Sequence, residues 1–211
     1  LIIADNIAYD SRNIYPGVVR VRPNGENVYE GAVVDYKIGD IKIPDLKAIM
    51  TGQKSEKYPE VITPDEHDNV VVFWCGHGSK NRLAWGSDEV VHGYQIADLI
   101  QSMTYRKMLW SMDACYSGSI GEACEGIPGV LFITAANAVE TSKADMRDPD
   151  MGIWLSNGFT RGFQETVDSN PDIILRDLYY ELARSTVGSH ATVYNVEYYG
   201  NMYKESMYEY F

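Results

Sequence analysis

Three short apolar runs constrain this chain more than any other feature: Val70-Val71-Val72-Phe73-Trp74, Met108-Leu109-Trp110-Ser111-Met112 and Val130-Leu131-Phe132-Ile133-Thr134. All are shorter than an ordinary helix, and β-branched or aromatic residues dominate the first and last, which favours strands. Their apolarity is continuous rather than alternating, the pattern of strands covered on both faces, as in a parallel sheet. The intervening segments supply the covering helices. His92 to Met103 carries Ile96, Leu99, Ile100 and Met103 on one face. Pro44 to Met50 repeats that spacing with Leu46, Ile49 and Met50, and Gly52 closes it. Met151 to Val167 predicts a helix, as does Pro171 to Ser185, with Ile173, Ile174, Leu178 and Leu182 as its stripe. Leu1 to Ala4 reads as a strand end, Val28 to Tyr36 as a short extended segment, Arg82 to Ser87 as a hairpin piece, and Thr192 to Val196 as a last strand. Strands alternating with helices predict an α/β, doubly wound sheet. No repeat or linker divides the 211 residues, so residues 1–211 are expected to form a single domain.

Composition removes several function classes. The formal net charge of -12 leaves no basic footprint for nucleic-acid phosphates or anionic lipid. No apolar run approaches the roughly 18 residues of a membrane span. The three cysteines, Cys75, Cys115 and Cys124, are no disulfide framework, and the lack of a CxxC pair argues against structural zinc. Neither metal nor cofactor is expected. The chain begins inside an apolar run rather than at a Met, so these residues leave the compartment open.

In doubly wound sheets, sites gather at the carboxyl ends of the strands. Gly76-His77-Gly78-Ser79 follows the first apolar run, and Asp113-Ala114-Cys115-Tyr116-Ser117-Gly118-Ser119 follows the second. A right-handed crossover of the intervening length can make the two strands neighbours, about 4.8 Å apart. Cys115 then suits a thiolate nucleophile, with His77 as the base that takes its proton and returns one to the leaving amine. Gly78 lets the backbone approach substrate closely, and its amide with that of Cys115 would form an oxyanion hole. Taken singly, a cysteine after a strand is most often inert core and a histidine among glycines a turn residue; their pairing at two strand ends carries the inference. A metal held by His77 with Cys75 or Cys115 would have only two or three ligands. Cys75 reads as packed at its strand end, Cys124 as exposed in a glycine-rich loop, His67 as solvated, His92 as a helix start, and His190 as a structural residue before a strand.

At these residues the chain resembles the legumain-like cysteine peptidases of the caspase clan, a family that includes asparaginyl endopeptidases and the catalytic subunit of the glycosylphosphatidylinositol transamidase. His77-Gly78-Ser79 meets the family's histidine motif, and Asp113 through Ser119 its cysteine motif. Asp5-Asn6-Ile7-Ala8-Tyr9, Arg22-Pro23-Asn24-Gly25, Tyr105-Arg106-Lys107-Met108, Thr134-Ala135-Ala136-Asn137 and Ser189-His190 look like further family segments. Met151-Gly152-Ile153-Trp154-Leu155 fits the transamidase branch. The resemblance implies a caspase-like three-layer fold with a central, mostly parallel sheet. It implies a peptide or protein substrate, cleaved after Asn or another polar P1 residue, with Asp113, Thr141, Ser142 and Trp154 lining the P1 site. Ile153 stands where legumains carry a second acid, which opens the site to Lys or Arg. Transamidation is the alternative outcome of the same acyl-enzyme, and an inactive binding scaffold is the alternative from another class. Family members carry a strand and helix ahead of the point where this chain begins. The resemblance therefore implies a second chain or a removed segment that completes the sheet, and it favours a secreted, periplasmic or other non-cytosolic compartment.

Overall fold

The computed structural model of the chain describes residues 1–211. In chain order its elements are β1 (Ile3–Ala4), β2 (Tyr36–Lys37), α1 (Ile43–Met50), β3 (Asn69–Cys75), β4 (Gly78–Ser79), β5 (Arg82–Trp85), β6 (Glu89–His92), α2 (Gly93–Gln101), β7 (Lys107–Asp113), α3 (Gly118–Ala123), β8 (Val130–Thr134), β9 (Ala144–Arg147), β10 (Trp154–Asn157), α4 (Gly158–Ser169), α5 (Leu175–Ser185), β11 (Thr192–Tyr194) and α6 (Val196–Tyr199). The three apolar runs become β3, β7 and β8, all parallel, in a sheet of order β11-β8-β7-β3. β11 closes one side antiparallel to β8.

Because side chains alternate along a strand, each continuous apolar run feeds two cores. Met108, Trp110 and Met112 of β7 join Val130 and Phe132 of β8 against Leu46 and Ile49 of α1, Ile96 and Leu99 of α2, and Ile120 of α3. Leu109, Leu131 and Ile133 face the other way, against Phe159 of α4, Leu175, Leu178 and Leu182 of α5, and Tyr199 of α6. The result is three layers, helix, sheet and helix. Trp110 lies in the first core, stacked on Trp74 at 6.3 Å between ring centroids and tilted against Phe132 at 5.9 Å.

Several expectations need correction. The helix expected over Met151 to Val167 begins only at Gly158, and the residues before it form β10, paired antiparallel with β9. Val28 to Tyr36 is turn and irregular backbone, and only Tyr36–Lys37 becomes a strand, parallel to β1. The helix expected from Pro171 starts at Leu175; Ile174 caps it and Ile173 lies outside it. No helix is long and apolar enough to cross a membrane.

β3 forms one edge of the main sheet, and β1–β2 is a separate ladder. Between them lies an apolar cleft of about 580 Å³, lined by Leu1 and Ile3 on one wall and by Val70, Val72, Trp74 and Trp85 on the other.

Candidate active site

The register of the two central strands sets the geometry. Cys75 at the end of β3 stands opposite Asp113 at the end of β7. The ladder runs one step further, with the Gly76 amide donating to the Asp113 carbonyl at 3.0 Å. His77 and Cys115 each lie two residues beyond that pair, so they leave the same edge of the sheet at the same height. The backbones of their two loops touch. A Cβ on Gly78 would overlap the Cys115 carbonyl oxygen and lie 3.1 Å from the Ala114 Cβ, so glycine is required there for close approach. Ser119 adds a second tie: its hydroxyl donates to the Tyr116 carbonyl at 2.7 Å and accepts the Asn81 amide at 2.7 Å.

The turn after β7 is tight. Tyr116 adopts φ +57°, a left-handed conformation uncommon for a bulky residue. Its amide donates to the Glu140 carbonyl at 2.8 Å, and the Gly118 amide to the Ala136 carbonyl at 3.0 Å. The Cys115 amide donates to no protein acceptor. The Gly78 amide is directed away from β5, because the Ala84 amide bonds the His77 carbonyl at 2.8 Å and leaves Gly78–Leu83 as the non-bonded pair of the hairpin. The Cys115 sulfur lies 3.7 Å from the Ser142 hydroxyl and 3.9 Å from the Ser142 carbonyl oxygen. The His77 ring is exposed and hydrogen-bonds neither the thiol nor any other group.

Asp113 is buried below this turn, at the amino end of α4. Its Oδ2 accepts the Thr160 hydroxyl at 2.6 Å and the Thr160 amide at 3.2 Å. Burial pushes its carboxyl up to about 6, against hydrogen bonds from Thr160 and Asn157 that hold it down; the nearby charge of Asp145 pushes the same way as burial. Next to Thr160 in α4, Arg161 pairs with Asp145 of β9 at 2.8 Å. Asp113 Oδ1, Asp145 Oδ1 and Arg161 Nε are all buried without a hydrogen-bond partner.

The expected residues thus fall into three places. Cys115, Gly78, Thr141 and Ser142 gather at the sheet edge with His77 beside them, Thr141 being the residue before Ser142, which meets the thiol. Asp113 lies beneath. Trp154 opens β10, is 57% exposed, and pairs with Arg147 across the hairpin rather than with Asp113. Thr160 and Arg161 were not expected; Asn157-Gly158 before an apolar residue is a helix-start signal that, given weight, would have placed Thr160 in the first turn of α4.

The other candidates separate cleanly. Cys124 is buried at the end of α3 rather than exposed, and burial pushes its thiol up to about 12. Cys75 is exposed as a residue rather than packed, while its sulfur faces Asp113 and Thr160; lost hydration first, and the Asp113 charge second, push this thiol up to about 11. Neither is a ready nucleophile near neutral pH. His92 caps α2, and His190 pairs with Glu140.

Legumain of Mus musculus is 29% identical to this chain over 209 residues, covering 95% of the chain and 47% of its own length. The GPI-anchor transamidase of Saccharomyces cerevisiae is 25% identical over 204 residues, covering 92% of the chain and 49% of its own length. The vacuolar-processing enzyme of Citrus sinensis is 29% identical over 147 residues, 65% of this chain and 30% of its own length. The chain spans about half the length of the legumain and transamidase relatives it matches. Residues 1–209 match the Peptidase C13 family, and the chain belongs to that family.

Proposed function

We propose that residues 1–211 form one cysteine endopeptidase domain, with Cys115 as nucleophile and His77 as its base. The observation that carries this reading is the β3–β7 register, which leaves the two residues at one height just past the ends of adjacent strands. The His77 ring turns toward the sulfur and takes its proton as the thiolate attacks the scissile carbonyl carbon. The oxyanion that forms is held by the amides of Cys115 and Gly78. The imidazolium protonates the leaving amine, the C–N bond breaks, and a thioester remains. Water, activated by the neutral imidazole, then hydrolyses the thioester and restores the thiol.

The P1 side chain enters near Asp113, with Thr141 and Ser142 on the rim; Trp154, on the β9–β10 hairpin, is left out of this reading. Two unpartnered carboxylate oxygens, on Asp113 and Asp145, and one unpartnered donor, Arg161 Nε, support a polar P1 group. A carboxamide offers both donors and an acceptor to such a set, so Asn is the first choice, ahead of Lys or Arg. Transamidation is the second reading. The similarity to a relative named GPI-anchor transamidase favours it, and an incoming amine in place of water would need no change in the residues.

A set of peptidyl acyloxymethyl ketones differing only at P1 tests this. Labelling of Cys115 is expected, fastest with Asn. No adduct at Cys115 from any P1 side chain would leave the binding-scaffold reading standing. Cys115→Ala is expected to abolish peptide cleavage and Cys124→Ala to preserve it.

We also propose that an extended segment outside residues 1–211, on the same or another polypeptide, fills the cleft between β1 and β3. The open edge of β3 and the apolar walls of the cleft support this.

A further inference from the structure

We propose that Glu140 is a positioning residue that holds the loop carrying Ser142 against the Cys115 thiol, with His190 as its clamp. The inference rests on the reading of Cys115 as nucleophile. Glu140 lies between β8 and β9 and ties together three parts of the chain. Its carbonyl oxygen accepts the amide of Tyr116, the residue after Cys115, at 2.8 Å. Its carboxylate reaches the other way: Oε1 accepts the amides of Asn137 at 3.0 Å and His190 at 2.8 Å. Oε2 lies 2.9 Å from Nδ1 of the His190 ring.

The segment around His190 is itself anchored. The Ser189 hydroxyl donates to the Ala135 carbonyl at 2.8 Å, and a Cβ on Gly188 would lie 3.1 Å from Lys143 Cγ. Two residues past Glu140, Ser142 places its hydroxyl 3.7 Å and its carbonyl 3.9 Å from the sulfur. Glu140 also braces Tyr116, whose left-handed backbone persists only where its surroundings fix it. The carboxylate touches no reacting atom; it acts through Tyr116 and Ser142.

Removing it strands the amides of Asn137 and His190 and frees the loop from residue 137 to 142. Ser142 then no longer covers the sulfur, so a small electrophile reaches the thiol more easily. A peptide reagent, which needs the thiol aligned with its carbonyl, reacts more slowly. The two effects have opposite signs, which a general loss of structure would not produce.

The test uses Glu140→Ala, Glu140→Gln and His190→Ala. Iodoacetamide alkylation of Cys115 is followed by mass spectrometry, with buried Cys124 as the folding control. The inactivation rate constant (kinact) and inhibitor constant (KI) of a peptidyl acyloxymethyl ketone are measured alongside. In Glu140→Ala we expect Cys115 to alkylate severalfold faster while Cys124 stays protected, and kinact to fall about tenfold at unchanged KI. Glu140→Gln should restore both, since an amide oxygen still accepts the two backbone amides. Wild-type values for both in Glu140→Ala, with Cys124 protected, would overturn the proposal. Should Cys124 become reactive, His190→Ala decides, because it deletes only an exposed ring and should shift both rates the same way to a smaller degree; no shift overturns the proposal. A ketone that fails to label the wild type counts against the peptidase reading, while the iodoacetamide arm still decides the clamp.

Discussion

Asp113 and Gly78 show how single residues set this site. The folded protein holds the Asp113 proton up to about 6, whereas an unfolded aspartate releases it near about 3.9. Below both values the two states are equally protonated and the group contributes nothing to the pH dependence. As pH rises through that window the unfolded chain ionises first, so the fold loses stability, by about 3 kcal/mol in total. Asp113→Asn removes the titration and keeps an acceptor for Thr160. Thermal melts from pH 4 to 7 should therefore show the wild type losing ground to the variant as pH rises; a pH-independent difference would refute the raised carboxyl. At Gly78 the constraint is steric. Gly78→Ala should cost about 100-fold in kcat and about 1–3 kcal/mol in stability, because the backbones of the His77 and Cys115 loops must separate. Gly76→Ala is the control, since its Cβ would meet nothing closer than 4.0 Å. Equal losses in the two variants, by turnover and thermal melt, would remove the close approach at Gly78 as the cause.

Among the elements, α4 links the fold to the site. Its N-cap, Asn157, accepts the Thr160 amide at 3.0 Å, and Thr160 in turn holds Asp113. Asn157→Ala should cost about 1 kcal/mol in a denaturant titration. It should also raise the Asp113 carboxyl further, because Asn157 is one of the groups holding it down. The melt profile would then shift to higher pH, and an unmoved profile would separate the cap from the carboxylate. This junction is also where the sequence was least legible. β3 and β7 could be read to within one residue at each end, since continuous apolarity with clear ends survives any packing around it. β9 and β10 could not, because strands of four half-exposed residues carry no firm period. α3 escaped for another reason: it is short and contains Gly118 and Gly121, poor helix formers kept because a Cβ on either would collide with Tyr194. The placement of Cys115 and His77 side by side at the sheet's edge was legible because each follows a readable strand. Glu140, Asp145 and Arg161 were not, because their roles depend on partners distant in the chain.

On the scale of the whole molecule, the caspase-like three-layer arrangement is closed on one side by β11 and open on the other at β3. The opening lies along the strand that carries His77. The Gly76 amide faces β7, so by the two-residue repeat of a strand those of Trp74 and Val72 do too, while the amides of Phe73 and Val71 face the cleft. Phe73 is 39% exposed despite its place in a central apolar run, and it leans on Phe163 of α4 at 5.0 Å between ring centroids. An unpaired edge of this kind is a template for another strand. Its freedom also reaches the loop carrying His77, because a strand bonded on one side only holds His77 less firmly than β7, paired on both sides, holds Cys115. Hydrogen exchange measured residue by residue on the 211-residue chain tests this directly. Val71 and Phe73 should exchange with little protection while Leu109 and Ser111 of β7 exchange only with global unfolding. In a longer or two-chain form that supplies the completing segment, Val71 and Phe73 should rise to the protection of β7, and the His77 amide should slow with them. Strong protection of Val71 and Phe73 in the 211-residue chain alone would mean that the edge is already covered, and the proposed segment would have no place to bind.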